Sequence, residues 1–411
     1  MTEERTTVVI GAGPAGCMAA GTAAENGGRV ILLDKNSRIG RKLMITGKGR
    51  CNVTNCVYTV NELMDNIPVN GRFLYSSFAG FMPVDTMDFF EALGVPLKVE
   101  RGERVFPVSD KASDIVDGLY RFIRKNGVDL RQEKAEEIIC DGKKVTGVRT
   151  ENGIIPADSV ILATGGASYP VTGSTGDGYE MAEKLGHTIV TPAPSLVPLE
   201  SDSPYCPDMQ GLSLKNIGIR VTEEKTGKKI YEDFGEMLFT HFGMSGPLIL
   251  SASSHMKNPE KNRYTVHIDL KPALSEEKLD KRIQRDFGEN LNKAFGNAIS
   301  GLMPRKMIPV IIKRCGVDPD KRVNQVTHEE RRALLNVLKD FTVPVTGFRP
   351  LKEAIVTSGG VSTKEINPKT MESKLTKGLF FAGEIIDVDA YTGGFNLQIA
   401  FSTGRLAGEN V

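Results

Sequence analysis

The sequence predicts an α/β fold, in which a parallel sheet takes strands from both ends of the chain and an insertion of different character lies between them. Three observations predict it. An apolar run, a glycine turn, a helical run and a second apolar run fill residues 6–34. Two further apolar runs, 158–166 and 378–384, also end in glycines. Strands of a parallel sheet are buried on both faces, so they are continuously apolar, as these runs are.

The first of these segments has the spacing of a dinucleotide-binding turn. Gly11, Gly13 and Gly16 follow the strand 6–10, and Asp34 ends the second apolar run. In such a turn the first glycine permits a tight bend, the second leaves space for a diphosphate, and the third allows close helix packing. The helix start offers N–H groups to the anion, and an acid at position 34 can accept hydrogen bonds from ribose hydroxyls. The alternative is an ordinary strand–helix turn.

Composition narrows the class of protein. A chain of 411 residues favours two or three domains, and 40% hydrophobic with 25% charged residues is typical of a globular protein. The net charge of +1 gives no reason to expect nucleic acid or an anionic membrane as partner. No segment has the length and apolarity of a membrane span, and six scattered cysteines do not form a disulfide framework. We therefore expect a cytoplasmic protein with a small-molecule substrate and no metal; the oligomeric state stays open.

A second glycine turn near the C-terminus points to a flavin. One apolar run ends at Gly383 and Glu384, and Gly393 and Gly394 precede a helical run. Flavoproteins with a two-dinucleotide-binding fold hold the ribityl chain and the pyrimidine edge of the flavin in this way. Backbone N–H groups of residues 394–396 would point at the part of the flavin where negative charge collects on reduction. The alternative is a plain packing helix.

The insertion changes character along its length. Prolines at 192–198 indicate a linker, and near-alternating apolar runs at 213–221 and 263–270 predict strands, with a hairpin turn at 224–228. Further on, Thr327 and Glu330 form a capping box for a helix whose apolar face is expected to continue to Phe341. We expect the insertion to act as a lid over an active site.

These features divide the chain into four parts. The first part of the FAD-binding domain is 1–191, the β-rich insert is 192–272, the helical insert is 273–345, and the second part of the FAD-binding domain is 346–411.

Five long runs resemble one known family. They are Gly-Arg-Lys-Leu to Asn-Val-Thr-Asn at 40–55, then 163–178, 239–247, 354–361 and 371–398. Together they are similar to the BaiN-like, aminoacetone oxidase-type FAD-dependent oxidoreductases over essentially the whole chain. The resemblance implies a Rossmann-like two-dinucleotide-binding FAD domain, split by an inserted β-barrel-like plus helical domain. It also implies redox chemistry on small organic molecules of the amine or enone class.

The resemblance implies cofactor-binding residues but no catalytic residue. The adenosine diphosphate half would contact Gly11, Gly13, Pro14, Ala15, Gly16, Asp34 and Lys35, with Ala135 beside the adenine. The pyrophosphate and the flavin edge would contact Arg41, Lys42, Gly47, Gly49, Arg50, Cys51 and Asn52, together with the strand end Ala163, Thr164 and Gly165. The ribityl chain and the flavin ring would contact Gly383, Glu384, Asp387, Gly393, Gly394, Phe395, Asn396, Leu397 and Gln398.

Three alternatives stay open at this point. NAD(P)H would bind transiently as hydride donor, or oxygen would accept the electrons, since no second dinucleotide motif is present. Cys51 and Cys56 have the spacing of a flavoprotein disulfide reductase, in which a thiolate pair relays electrons to a disulfide. A flavin-dependent RNA-modifying or regulatory protein is the third alternative, against which the near-zero net charge argues.

Overall fold

A computed structural model describes residues 5–257 and 259–411. The described chain forms two compact units. The first unit runs to Ser195 and resumes at Pro350, and the second unit is Leu196–Arg349. Each unit has a buried apolar core of its own.

Strands are numbered in chain order over the described residues. The first unit begins with β1 Thr6–Ile10, β2 Arg29–Asp34, β3 Thr54–Asn55, β4 Leu97–Glu100, β5 Arg104–Pro107, β6 Asp129–Gln132, β7 Ala135–Asp141, β8 Lys144–Thr150, β9 Gly153–Pro156, β10 Ser159–Leu162 and β11 Ile189–Ser195. The second unit contains β12 Leu199–Glu200, β13 Ser213–Glu223, β14 Lys228–Thr240, β15 Gly243–Ser245, β16 Tyr264–Asp269, β17 Phe341–Val345 and β18 Gly347–Phe348. The first unit then resumes with β19 Val356–Val361 and β20 Leu379–Phe381.

Helices are numbered in the same way. The first unit begins with α1 Pro14–Glu25, α2 Val60–Asp65, α3 Tyr75–Gly80, α4 Pro83–Ala92, α5 Ala112–Lys125 and α6 Asp177–Lys184. The second unit contains α7 Tyr205–Asp208, α8 Pro247–Ser253, α9 Glu276–Gly288, α10 Phe295–Ala298, α11 Ile308–Cys315 and α12 His328–Lys339. The chain closes with α13 Phe395–Glu409. Among the described residues no helix is both long and apolar enough to cross a membrane.

The central sheet of the first unit is parallel and joins both ends of the chain. Its strand order is β20-β10-β1-β2-β6, with Val8 aligned to Val160 on one side and to Ile31 on the other. Strands β1, β2, β10 and β20 are largely buried, as their continuous apolar sequence predicts, whereas the edge strand β6 is partly exposed. The prediction of an α/β fold built from both termini is confirmed.

Helices α1 and α13 pack closely through glycines. A Cβ on Gly404 would lie 2.4 Å from Ala15 O, and a Cβ on Gly408 would lie 2.5 Å from Ala19 O. Only glycine permits this approach, so α13 holds the last residues of the chain against the first helix.

The sheet of the second unit is antiparallel. Its seven described strands have the order β17-β16-β13-β14-β15-β12-β18. The predicted turn at 224–228 is confirmed, because β13 and β14 form a hairpin around it.

The helical end of the second unit contains one correction. The capping box is confirmed, since Thr327 accepts from Glu330 N while the Glu330 side chain accepts from Thr327 N. The helix ends at Lys339, however, and Phe341 begins β17. Thr342, Val343 and Val345 are β-branched and favour a strand, and an edge strand tolerates Pro344.

Candidate functional site

The turn between β1 and α1 is tight at both ends and open in the middle. Gly11 has a φ of 103°, and its N–H donates to Leu33 O at 2.8 Å. A Cβ on Gly11 would lie 2.6 Å from Ala163 O, and a Cβ on Gly16 would lie 1.8 Å from Gly11 O. A Cβ on Gly13 would meet nothing within 4 Å. The open space lies where a diphosphate approaches this kind of turn.

The start of α1 offers backbone donors. Gly13 is the N-cap, and no side chain caps the helix. Pro14 has no N–H, so the donors of the first turn are those of Ala15 and Gly16. Because they sit at the positive end of the helix dipole, they form an anion site.

Asp34 is oriented by the backbone of the turn. Its Oδ2 accepts from Ala12 N at 2.8 Å, and its Oδ1 accepts from Asn36 N at 2.7 Å and from Asn36 Nδ2 at 2.8 Å. Arg41 donates to Asn36 Oδ1 at 2.6 Å and so extends the network. Each carboxylate oxygen has more than one acceptor site, so a ribose hydroxyl can still bind.

Ala135 lies on a segment joined to the end of the Asp34 strand. It begins β7 and is buried, at 6% exposure. Two residues earlier, Glu133 N donates to Asp34 O at 2.9 Å. The predicted adenine and ribose contacts therefore lie on neighbouring stretches of backbone.

Lys35 and Lys42 form ion pairs within the first unit. Lys35 Nζ lies 2.7 Å from Asp177 Oδ2, and Lys42 Nζ lies 2.8 Å from Glu384 Oε2. Glu384 Oε1 also accepts from Thr357 N at 2.9 Å. All four charged side chains are partly exposed, and such pairs contribute only about 0–1 kcal/mol. A phosphate could therefore replace a carboxylate at small cost.

The segment 40–52 connects the two glycine turns. At its start, Gly40 N donates to Ala12 O at 2.9 Å; just past its end, Asn55 Nδ2 donates to Gly393 O at 3.1 Å. In between, residues 47–49 all have left-handed backbone, with φ of 56°, 59° and 85°. Glycine adopts this conformation freely, which explains the glycines at 47 and 49.

Arg50 is held by protein carboxylates. Its guanidinium pairs with Glu100 and Asp110 and lies 4.1 Å from the ring centre of Phe106. Hydrogen bonds to Glu100 and Asp110 raise the pKa of the guanidinium. If Arg50 contacts the cofactor as predicted, it would do so while paired with Glu100 and Asp110.

The two cysteines differ in environment. Cys51 is buried, which raises the pKa of its thiol to about 12, whereas Cys56 is half-buried. Both are free thiols. Cys51 would therefore be a poor thiolate, which disfavours the disulfide reductase alternative. Among the described residues, no group of His, Cys, Asp and Glu has a metal-binding arrangement.

Several buried polar side-chain atoms of the first unit have no hydrogen-bond partner among the described residues. Three of them are Asn52 Oδ1, Thr164 Oγ1 and Tyr179 OH. Thr164 follows Ala163 and precedes Gly165, whose φ is 75°. Buried polar atoms are nearly always hydrogen-bonded, so unpaired ones in a nucleotide-binding unit indicate a place for ligand or water.

The second glycine turn repeats the features of the first. Gly383 has a φ of 77°, and its N–H donates to Thr403 Oγ1 at 2.9 Å. Gly393 and Gly394 have φ of 123° and 102°, and a Cβ on Gly394 would lie 2.3 Å from Thr54 O. Gly394 is the N-cap of α13, and no side chain caps this helix either. Its first-turn N–H groups form a second anion site.

Side chains of the first turn of α13 are used inside the protein. Gln398 is fully buried and accepts from Thr54 Oγ1 at 2.6 Å and from Thr86 Oγ1 at 2.8 Å. Asn396 Nδ2 donates to Ala390 O at 2.8 Å. A flavin would therefore meet the backbone of this turn and not these two side chains. The apolar members pack against the core: Phe395 and Leu397.

Two acids lie on the loop before α13, and the sequence reasoning missed the second. Asp387 accepts from Asn70 at 2.9 Å, and burial raises the pKa of its carboxyl. Asp389 is 1% exposed and accepts from Ser195 Oγ at 2.6 Å and Ser358 Oγ at 3.2 Å. Burial, and then neighbouring carboxylates, raise the pKa of Asp389. Its position in the sequence could have identified Asp389 as a candidate, because it lies two residues after Asp387 and shortly before the glycine pair 393–394.

The parallel sheet, the two glycine turns and the two uncapped helix starts define a flavin-dependent oxidoreductase of the Rossmann type. The chain matches the family described as HI0933-like protein Rossmann domain over residues 5–410, and it belongs to that family. The predicted BaiN-like resemblance is thereby confirmed.

Relatives of known name match over nearly their full length. The chain is 30% identical to the 3-dehydro-bile acid delta(4,6)-reductase of Clostridium scindens, covering 97% of each chain. It is 31% identical to the ribosomal RNA dihydrouridine synthase of Escherichia coli, covering 96% of this chain and 95% of that one. Among solved structures, the 3-ketosteroid delta1-dehydrogenase from Sterolibacterium denitrificans shares the fold, with a TM-score of 0.52 at 13% identity, covering 98% of this chain and 99% of that one.

FAD is the cofactor that this family and site support. The open space at Gly13, the uncapped start of α1 and the unpaired Thr164 Oγ1 all fit a dinucleotide. FAD, when bound, supplies hydride transfer.

Proposed function

We propose that this chain is a reductase of carbon–carbon double bonds conjugated to a carbonyl group. The observation that carries the proposal is the pair of relatives just named, each similar over at least 95% of its own length. A delta(4,6) alkene of a 3-oxo steroid is conjugated to its carbonyl, and so is the ring double bond of uracil. Both reductions add hydride to the electrophilic carbon of the double bond and a proton to its neighbour. The two substrates differ in size and class, but the two reactions reduce the same kind of double bond.

Residues of the chain supply orientation and charge stabilisation in this proposal. The dinucleotide would be held at the starts of α1 and α13, with Asp34 on the ribose and Gly13 beside the diphosphate. The positive end of α13 would stabilise negative charge by about 0.3–1 kcal/mol at a surface and up to about 2 kcal/mol when partly buried. Lys42, paired with Glu384, would add a cation to this region.

The loop at Asp389 would hold a proton in this proposal. Asp389 is buried, has no cation partner among the described residues, and is hydrogen-bonded to two serine hydroxyls. A raised pKa favours the protonated acid. A protonated carboxyl at this position would match the need of the reaction for one proton per hydride.

NAD(P)H as transient hydride donor is part of the proposal. An anaerobic experiment tests it: purified enzyme loaded with FAD is mixed with NADPH or NADH under nitrogen, and the flavin absorbance is followed. We expect one nicotinamide to bleach the flavin. Reduced enzyme is then mixed with a 3-oxo-delta(4,6) steroid, and we expect the flavin absorbance to return as the steroid is reduced.

A second substrate class is uridine within ribosomal RNA, which the name of the Escherichia coli relative favours. The same reduced enzyme is mixed with unmodified ribosomal RNA, and dihydrouridine is measured by mass spectrometry of the digested nucleosides. Return of the flavin absorbance with RNA alone would assign the RNA class, and return with the steroid alone would assign the enone class. If neither substrate reoxidises the flavin but an amine reduces it, conjugated-alkene reduction is wrong and the amine class is favoured.

A further inference from the structure

Helix α9 of the second unit pairs two of its acids with α12 and gathers its four cations on another side. Leu279, Ile283 and Phe287 are buried in the core of the unit. Two of its four acids pair with α12: Asp280 with Arg331 at 2.8 Å and Glu276 with Arg332 at 2.7 Å. These two carboxylates are therefore neutralised by cations of α12.

The basic side of α9 is open. Four cations, together with Leu274, line a concavity of about 430 Å³: Lys278, Lys281, Arg282 and Arg285. Arg282 and Arg285 share one carboxylate, Asp286, at 2.9 and 3.3 Å. Lys278 and Lys281 are exposed and form no ion pair with any described residue. The four cations of the concavity therefore exceed the single carboxylate that pairs with two of them, and the concavity carries net positive charge.

A further cation lies beside this concavity. Lys271 is half-buried, and burial together with the charge of Arg282 lowers the pKa of its ammonium. A neighbouring anion would relieve this repulsion. Lys339 approaches from α12, but it is neutralised by Asp269 and also donates to Lys271 O and Leu274 O.

We propose that this concavity binds phosphate groups of an RNA strand. The inference rests on the RNA arm of the proposed function. Lys278 and Arg285 are seven residues apart, which is about 10 Å along a helix, so the cations form a row and not a single point. A row of Lys and Arg matches successive phosphates of a backbone, and guanidinium groups bind phosphate oxygens bidentately. None of the described residues that line the concavity is aromatic, so contacts would position the strand without reading its bases.

The net charge of +1 is compatible with this proposal. Net charge is a sum over the whole chain, whereas phosphate binding depends on the local arrangement of cations. Helix α9 itself carries four acids and four bases. Glu276 and Asp280 pair with α12, whereas the four cations line one concavity in which two of them share Asp286.

The test compares two double variants with the same change in net charge. One is Lys278→Gln with Lys281→Gln in the concavity; the other is Lys225→Gln with Lys228→Gln on the exposed β13–β14 turn. Binding of a fluorescently labelled ribosomal RNA fragment is measured by anisotropy across a salt series. Each lost phosphate contact lowers the slope of log affinity against log salt by about 0.7 for a single strand, so we expect a decrease of about 1.4 in the first variant alone.

Two readouts keep the outcome clear. FAD content and flavin reduction by nicotinamide are expected to match wild type in both variants, because neither alters the first unit. An unchanged slope in the Lys278/Lys281 variant, or an equal decrease in the Lys225/Lys228 variant, would overturn the proposal. Wild-type enzyme that binds RNA through α9 but leaves its uridines unreduced would remove only the RNA arm of the proposed function.

Discussion

Gly13 and Gly16 lie on the same turn but serve different purposes, which a pair of alanine substitutions can separate. A Cβ at Gly13 meets only open space, so Gly13→Ala should leave the stability of the apoprotein unchanged and weaken FAD binding by about tenfold or more, ~1.4 kcal/mol. A Cβ at Gly16 would lie 1.8 Å from a backbone oxygen, so Gly16→Ala should destabilise the apoprotein itself by about 1–3 kcal/mol. Urea unfolding of apoprotein and FAD titration by fluorescence measure both effects. Equal FAD affinity in wild type and Gly13→Ala would place the diphosphate elsewhere.

His187 should make stability depend on pH. It is buried, its Nε2 lies 2.9 Å from Ser373 Oγ, and its Nδ1 lies 3.3 Å from Glu365. Burial lowers its pKa below the ordinary value of 6.5, against the opposing effect of Glu365. Between the lowered pKa and 6.5 the unfolded chain binds a proton that the folded chain does not. Stability should therefore fall as pH falls below about 6.5.

The substitution His187→Gln tests this linkage. The variant should lose stability at neutral pH, because a buried contact is altered, but its free energy of unfolding should change less between about pH 7.5 and 5.5 than that of wild type. The exposed His328→Gln is the matched control. A pH dependence in His187→Gln as steep as that of wild type would contradict the assignment.

Single residues were predictable where a backbone conformation demands one residue type. The glycines at 11, 16 and 394 follow from motif spacing, and each meets backbone at a distance that excludes a side chain. Buried partners distant in sequence were not predictable. Asp389 and Ser195 are 194 residues apart, and the sequence around either residue does not predict their hydrogen bond.

At the scale of elements, α13 is anchored by one buried amide. Gln398 accepts from two threonines, Thr54 and Thr86, and its Nε2 donates to Phe81 O at 3.1 Å and to Ser402 Oγ at 2.9 Å. Gln398→Leu would leave these groups buried without partners and should destabilise the protein by about 3 kcal/mol. The same change at exposed Gln132 should cost little.

Chemical unfolding measures the stability of both variants, and the affinity for FAD reports whether α13 has shifted. If α13 shifts, the affinity for FAD should fall together with stability in Gln398→Leu. A stable Gln398→Leu variant with normal FAD affinity would show that the network does not hold the helix.

Helix and strand boundaries with a strong local sequence signal were predicted from the sequence. Boundaries that depend on pairing with a strand distant in the chain were not. The capping box at Thr327 gives the start of α12 directly. The end of α12 was placed too late, because Phe341 continues the apolar spacing of the helix while its neighbours favour a strand beside β16. Periodicity alone could not weigh that tertiary partner.

At the scale of the whole molecule, the sequence predicted the parallel sheet from both termini because glycine-ended apolar strands occur at both ends. It could not predict the ion pair of Lys42 with Glu384 or the gathering of four cations of α9 around one concavity. The ion pair and the cluster of cations depend on which surfaces of the protein meet in three dimensions. Composition gives only the totals of acids and bases and says nothing of their positions.

The placement of β20 has a consequence for biosynthesis. Strand β20 pairs with β10, yet more than two hundred residues separate them in the chain. A ribosome releases β10 long before β20, so the open edge of β10 must wait without its neighbour while the contiguous Leu196–Arg349 emerges complete. An unpaired strand edge can associate with other chains, so the nascent protein needs protection at that edge until β20 has left the exit tunnel.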